Sequence, residues 1–167
     1  FNEFIGSLPH RHKIVIAGNH DFCFEREPET SAGLLSNCVY LQDDAVTLRG
    51  IRFYGSPWQP WFYDWAFNLR RGPEIRAKWS LIPGDIDVLI THGPPHGVRD
   101  RTVLGERAGC EDLRDAVQRI HPRLHIFGHI HEGAGTDHDG HTDYINASTC
   151  DLSYRPVHPP VVFEYET

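Results

Sequence analysis

The chain of 167 residues is one domain's worth, long enough to bury a core and too short for two independent domains of ordinary size. Hydrophobic residues make up 40% and charged residues 23%, the balance of a soluble globular protein, and no stretch approaches the roughly 18 consecutive apolar residues of a membrane span. A formal charge of −7, with Lys and Arg forming no run, argues against a groove for polymeric nucleic acid.

Residues 1–8 place Phe1, Phe4, Ile5 and Leu8 at helical spacing and read as the end of an amphipathic helix, stopped by Pro9. Methionine is absent and the chain opens on Phe1, so it is read as a portion or processed product of a longer protein. Lys13 to Ala17 form a buried strand that runs into Gly18-Asn19-His20-Asp21. Residues 22–37 read as a loop with one helical turn. From Cys38 to Gly55 apolar residues alternate, with turns at Asp43-Asp44 and Arg49-Gly50, which predicts a small antiparallel meander.

Ser56 to Asn68 is dense in aromatic residues and interrupted by Pro57 and Pro60. It is either a surface loop pinned by its rings or one wall of a substrate cleft. A helix is expected from Pro73 to about Leu81, a buried strand from Asp87 to Thr91, and an amphipathic helix from Glu111 to Ile120. Leu124 to Phe127 is a third buried strand. Residues 133–140 are expected as loop, with Asp139-Gly140 suited to a hairpin turn. Strands at Tyr144 to Ala147 and Val161 to Tyr165 are expected to close the chain. Strands alternating with helices, together with hairpins, indicate one α/β (α+β) domain over residues 1–167 with mixed sheets.

Three of the expected strands end in a glycine-bearing histidine loop: 18–21, 92–95 and 128–131. Ligands of open α/β sheets sit at the carboxyl ends of strands. Each loop taken singly has a bland alternative. Asn19 and Asp21 could bond their own backbone in a turn, His92 could cap a strand, and His129 and His131 could pack on one strand face. Taken together, neutral imidazoles and an amide oxygen suit borderline divalent ions such as Mn, Fe(II), Zn or Ni. The four cysteines, Cys23, Cys38, Cys110 and Cys150, are widely spaced; they fit reduced thiols of a cytoplasmic protein better than a zinc ribbon or a disulfide framework.

The blocks GNHD, THG and GHIH, in that order, resemble the last three signature blocks of the calcineurin-like metallophosphoesterase superfamily. SLPHRHKIVIAGNHD, IRFYGSPWQPWFYDWAFNL, DVLITHGPPHG, PRLHIFGHIHEGAG and YINASTC narrow the likeness to its metallophosphoesterase-domain-containing (MPPED) group, over nearly the whole chain. The resemblance implies a β-sandwich of mixed sheets flanked by helices, with a two-metal site between the sheets, and hydrolysis of phosphodiesters including cyclic nucleotides. Mn is the expected ion, with Fe, Zn, Ni or Mg as other candidates.

Carried over by position, Asn19, His92 and His129 would hold one ion and His131 the other. His20 would act on a phosphoryl oxygen, and Asp21 would orient His20 through its second ring proton. Apart from the resemblance, His96 follows the THGPP turn and is a candidate to reach the substrate, a small phosphodiester or nucleotide. The superfamily's Asp-x-His and Gly-Asp blocks have no counterpart before Gly18. The second metal position and the first strands of the sheet are therefore expected to be incomplete here. The segment between Cys23 and Leu34 also looks shorter than in animal members of the group. The alternative is a non-catalytic chain that binds one metal or a nucleotide weakly. The remaining histidines, His125 among them, are read as structural or exposed.

Overall fold

The computed structural model describes residues 1–165. Helix α1 (Asn2–Ser7) precedes β1 (Ile14–Val15), two short helices α2 (Phe22–Arg26) and α3 (Pro28–Gly33), and β2 (Val39–Tyr40). Next come β3 (Asp44–Leu48), β4 (Ile51–Ser56), β5 (Gln59–Pro60), β6 (Asn68–Leu69), α4 (Pro73–Trp79) and β7 (Val88–Thr91). Helix α5 (Glu111–Ile120), β8 (Leu124–Phe127), a single 3-10 turn at His131–Gly133, β9 (Gly135–His138) and β10 (Asp143–Asn146) complete the order.

The main sheet has six strands in the order β3-β4-β7-β8-β10-β9. Its four inner strands are parallel and both edge strands run antiparallel. Helices α4 and α5 are the crossovers β4-α4-β7 and β7-α5-β8, and both pack on the same face. Period two in the strands sorts the side chains. Tyr54, Leu89, Phe127 and Tyr144 meet Ile75 and Trp79 of α4 and the Leu113, Ala116, Val117, Ile120 stripe of α5. Val88, Leu124 and Ile145 point to the opposite face, where Ile90 and Ile126 are only half-buried. Helix α5 starts where Cys110 Sγ accepts the Leu113 N–H at 3.4 Å and stops at His121, which turns left-handed just before Pro122.

The expected meander is reduced to one hairpin, β3–β4, turned at Arg49-Gly50 with φ of 53° and 84°. Strand β2 instead pairs in parallel with β1, Ile14 opposite Val39 and Val15 opposite Tyr40. Alternation marks a strand but does not name its partner. Residues 22–37 form two short helices, with Pro28 fixing the first turn of α3. The expected 133–140 loop contains strand β9. No strand forms at Val161 to Tyr165: Pro159 and Pro160 precede it without N–H donors, and Val161 and Val162 stay exposed beside no partner strand. Among the described residues no helix is long and apolar enough to cross a membrane.

Candidate metal centre

Strand β1 runs on through the buried Ala17 to Gly18, which lies against the ring of His92; a Cβ there would come within 2.8 Å of that ring's Cε1 and Nδ1. Only glycine lets the corner and the imidazole approach so closely. The turn is closed by Asp21, whose Oδ2 accepts the Gly18 N–H at 2.7 Å while its own N–H donates to the Gly18 carbonyl at 3.0 Å. The turn reading thus holds for Asp21. Its carboxylate serves the backbone, and no hydrogen bond joins it to the His20 ring among the described residues.

Asn19 behaves differently. It is 5% exposed, and its Oδ1 lies 2.8 Å from His92 Nε2. The same nitrogen is 3.1 Å from His129 Nδ1 and 3.3 Å from the Asn19 N–H. A ring nitrogen carries a proton or a lone pair, so no tautomer of His92 serves the amide oxygen and the amide N–H together. Asn19 Oδ1 and His129 Nδ1 thus both stand close to His92 Nε2, a spacing that ligands of one small divalent cation would have. Burial, then the neighbouring His129 and His20, depress the His92 pKa to about 3. Burial, then His131 and His20, depress that of His129 to about 4. Both rings are neutral at pH 7 and present lone pairs.

The loops that deliver these rings are held from below. Thr91, just before His92, donates its hydroxyl to the Gly93 carbonyl at 2.8 Å and receives His125 Nε2 at 2.8 Å. With the hydroxyl proton given to Gly93, His125 carries its proton on Nε2, and its buried Nδ1 has no partner. Burial lowers the His125 pKa to about 3. Asn146, at the end of β10, is 1% exposed; its Nδ2 donates to the Ile130 carbonyl at 2.9 Å and to the Arg99 carbonyl at 3.3 Å, and its Oδ1 accepts the Ser148 N–H at 3.1 Å. This bracket shapes the loop between β8 and the 3-10 turn, where His129 takes a left-handed φ of 68°, a conformation retained where surrounding structure enforces it. Gly133 is packed so tightly there that a Cβ would lie 1.9 Å from the Arg99 carbonyl oxygen.

His131 faces the same cleft of about 640 Å³. Its Nδ1 meets the Asp151 carbonyl at 3.0 Å, which places the ring proton there and leaves Nε2 free to bind. His20 is exposed at the rim, its ring 5.3 Å from that of Trp65, which in turn stands edge-on to His129 at 6.1 Å. His96 borders neither this cleft nor the cavity next to it; its N–H is bonded to the Cys110 carbonyl. Among the described residues no group of three or more His, Cys, Asp or Glu side chains is placed to hold a metal, so the cluster is two imidazoles and an amide. Sequence reasoning met Trp65 only as part of the aromatic 56–68 stretch and read His125 as structural or exposed; it assigned no role to Thr91, Asn146 or Tyr154, whose ring stands edge-on to His131 at 5.7 Å. Thr91 lies within the THG block, and that was the available signal.

Residues 1–133 match the model of the calcineurin-like phosphoesterase family. The chain belongs to that family. Metallophosphoesterase domain-containing protein 1 of Homo sapiens and its namesake of Mus musculus are each 50% identical to the chain over 192 residues, covering 100% of it and 59% of their own length. A UPF0046 protein of Caenorhabditis elegans is 40% identical over 194 residues, covering 98% of the chain and 49% of its own length. The chain therefore spans 59% or less of the length of these curated relatives. A crystal structure superposes with a TM-score of 0.63 at 22% identity, covering 88% of this chain and 62% of that one. At that identity the likeness concerns the fold: a mixed sheet flanked by helices.

Proposed function

We propose that this chain carries the substrate-activating half of a metal-dependent phosphoesterase site that hydrolyses small phosphodiesters of the cyclic-nucleotide type. The observation that carries the reading is the convergence of Asn19 Oδ1, His92 Nε2 and His129 Nδ1 within 2.8–3.1 Å contacts, both rings neutral. These three residues would hold one divalent ion, with Mn the first choice, and His131 Nε2 would serve a second. A bound ion of this kind supplies a hydroxide near neutral pH and neutralises phosphoryl oxygens.

The chain's own residues do the rest. His20, at the rim and flanked by Trp65, donates a proton to the departing ester oxygen. Asp21 holds the turn through the Gly18 N–H and so fixes where His20 stands. Thr91 and Asn146 keep His92 and His129 aimed at Asn19.

The test is calorimetric titration of the chain with Mn²⁺, paired with hydrolysis of bis(4-nitrophenyl) phosphate. Expected results are Mn²⁺-dependent turnover, lost in His92→Ala and lowered at least ~100-fold in His20→Ala. A second reading, a chain that binds metal or nucleotide without turning over, is favoured by the absence of a carboxylate from the cluster. Binding without turnover supports it, and neither binding nor turnover overturns both.

A further inference from the structure

Beside the histidine cleft lies a second cavity of about 530 Å³; Phe62, His129 and Ile130 border both. One wall is the 61–63 segment, whose Trp61, Phe62 and Tyr63 are 58%, 53% and 69% exposed. The segment is nevertheless fixed. Asn68 Oδ1 accepts the Phe62 N–H at 3.3 Å, and Asn68 Nδ2 donates to the Phe62 and Tyr63 carbonyls at 3.3 and 2.8 Å. The other wall is a small turn tipped by Val103 and Leu104, closed by Thr102 N–H to Glu106 O at 2.9 Å and tied to the histidine loop by Val103 N–H to Glu132 Oε1 at 2.6 Å. Large apolar side chains thus stand in water on both lips of one groove, an arrangement that marks a binding surface.

Two polar atoms narrow the occupant. Gln59 is 1% exposed; its Nε2 donates to Ala66 O and Asn68 Oδ1, but its Oε1 is buried without a partner. Thr102 Oγ1 is likewise buried and unpartnered, and both residues line the cavity. Buried polar atoms are normally hydrogen-bonded. The cations at the wall are already engaged: Arg71 with Glu111 and the Ala108 and Gly109 carbonyls, Arg107 with Asp100 at 2.7 Å. The groove offers ring faces, one orphan carbonyl oxygen and one hydroxyl; the Glu106 carboxylate on the same wall has no ion pair among the described residues and disfavours an anionic occupant.

On the reading that an ester is cleaved beside His92 and His129, we infer that this groove receives the uncharged aromatic arm of that ester: a planar ring lying against Trp61 and Phe62 and donating an N–H to Gln59 Oε1. A cavity of this volume is within the ordinary range for small-molecule sites. The ring belongs to a nucleobase or to a simple aryl group, which share this chemistry.

The test uses metal-free chain and probes without phosphate: adenosine, N6,N6-dimethyladenosine and aniline, followed by the Trp61 indole N–H signal in NMR, assigned by its loss in Trp61→Ala. Adenosine, aniline or both are expected to shift that signal. Adenosine alone identifies a base as the arm, aniline alone an aryl group. Thr102→Val should weaken binding about 3- to 10-fold, as should dimethylation of adenosine, whereas Tyr154→Ala in the histidine cleft should leave it unchanged. The assignment is overturned if neither probe moves the Trp61 signal, if adenosine binds and dimethylation leaves its binding unchanged, or if Tyr154→Ala alone abolishes binding. Ring binding in a chain without phosphoesterase activity would sink the catalytic reading and leave this one standing; turnover without ring binding would do the reverse.

Discussion

His92 and His129 hang from β7 and β8, at the centre of a six-strand sheet with two helices packed on one face, whereas Asn19 and His20 follow β1, whose two residues pair with β2 alone. Below the first pair lie Thr91, His125 and Asn146, each buried and hydrogen-bonded. Below the second lies a small cluster built on Ala17, Ala66 and Phe67, next to an apolar cavity of about 480 Å³ lined by Val15, Ile16, Phe24 and Tyr40. The proposed ligands are thus shared between a stiff half and a thin half. Damage to the stiff half should cost the fold, and damage to the thin half should cost the site first.

The largest effect is expected at Gly133. Its Cβ would meet backbone, the Arg99 carbonyl oxygen at 1.9 Å, so Gly133→Ala must move the chain and should destabilise it by about 3 kcal/mol or more in urea unfolding. Asn146→Ala follows. It strands the buried Ile130 carbonyl along with the Arg99 carbonyl and the Ser148 N–H and should cost about 2–3 kcal/mol, with Mn²⁺ affinity falling as the His129 loop loosens. Gly18→Ala inverts the pattern, because its Cβ meets a side-chain ring that can shift. Stability should change by no more than about 1 kcal/mol, while Mn²⁺ affinity in calorimetry falls about 10- to 100-fold as His92 leaves Asn19. Equal stability losses at Gly18 and Gly133 would dissolve the contrast.

How much of this was legible in the sequence follows the same division. The stiff half reads well: α5 and β8 lie at the expected residues, because a periodic stripe bounded by Cys110 and Pro122, and an apolar run stopped by Gly128, leave little choice. That the ends of β7 and β8 converge followed from topology, since parallel neighbours deliver their carboxyl ends to one edge; β1 reaches the same place from a separate two-stranded sheet. The thin half reads poorly. Period two at 38–41 could not tell β1 from β3 as a partner, and Asp21 went to the local Gly18 N–H rather than to His20. Short polar side chains beside a turn have a backbone donor within reach before any tertiary partner arrives. The orphan oxygens of Gln59 and Thr102 are products of packing alone, and no spacing announces them.

Acid should separate the halves more gently. His92 and His125 titrate near 3 and His129 near 4 in the folded chain, against about 6.5 when unfolded. Between these values the unfolded chain binds more protons, so stability is full above about pH 6.5 and falls as pH drops toward 4. Urea midpoints with chelator present should decline over that window. His125→Gln removes one of the three depressed rings and should flatten the decline by about a third. An unchanged slope would mean that the fold does not hold His125 neutral over this window.

The smallest effect is expected at Tyr40, and it tests whether the thin half opens by itself. The Tyr40 hydroxyl is 2.6 Å from Gln42 Oε1, and its ring packs at 4.7 Å on Phe24 beside the apolar cavity. Tyr40→Phe keeps the ring and removes one hydrogen bond, about 0.5–1 kcal/mol, too little to matter to a unit as stable as the large sheet. The β1–β2 ladder pairs just two residues of each strand and is flanked by the bonds from Val39 N–H to Lys13 O at 2.8 Å and from Leu41 N–H to Val15 O at 2.9 Å. If that corner opens locally, exchange of the Val39 and Leu41 amides with solvent deuterium should quicken while amides of β7 and β8 keep their rates. Equal acceleration in both would show a single cooperative unit. Asn19 would then share the stiffness of His92, and the proposed metal centre would be as rigid on one side as on the other.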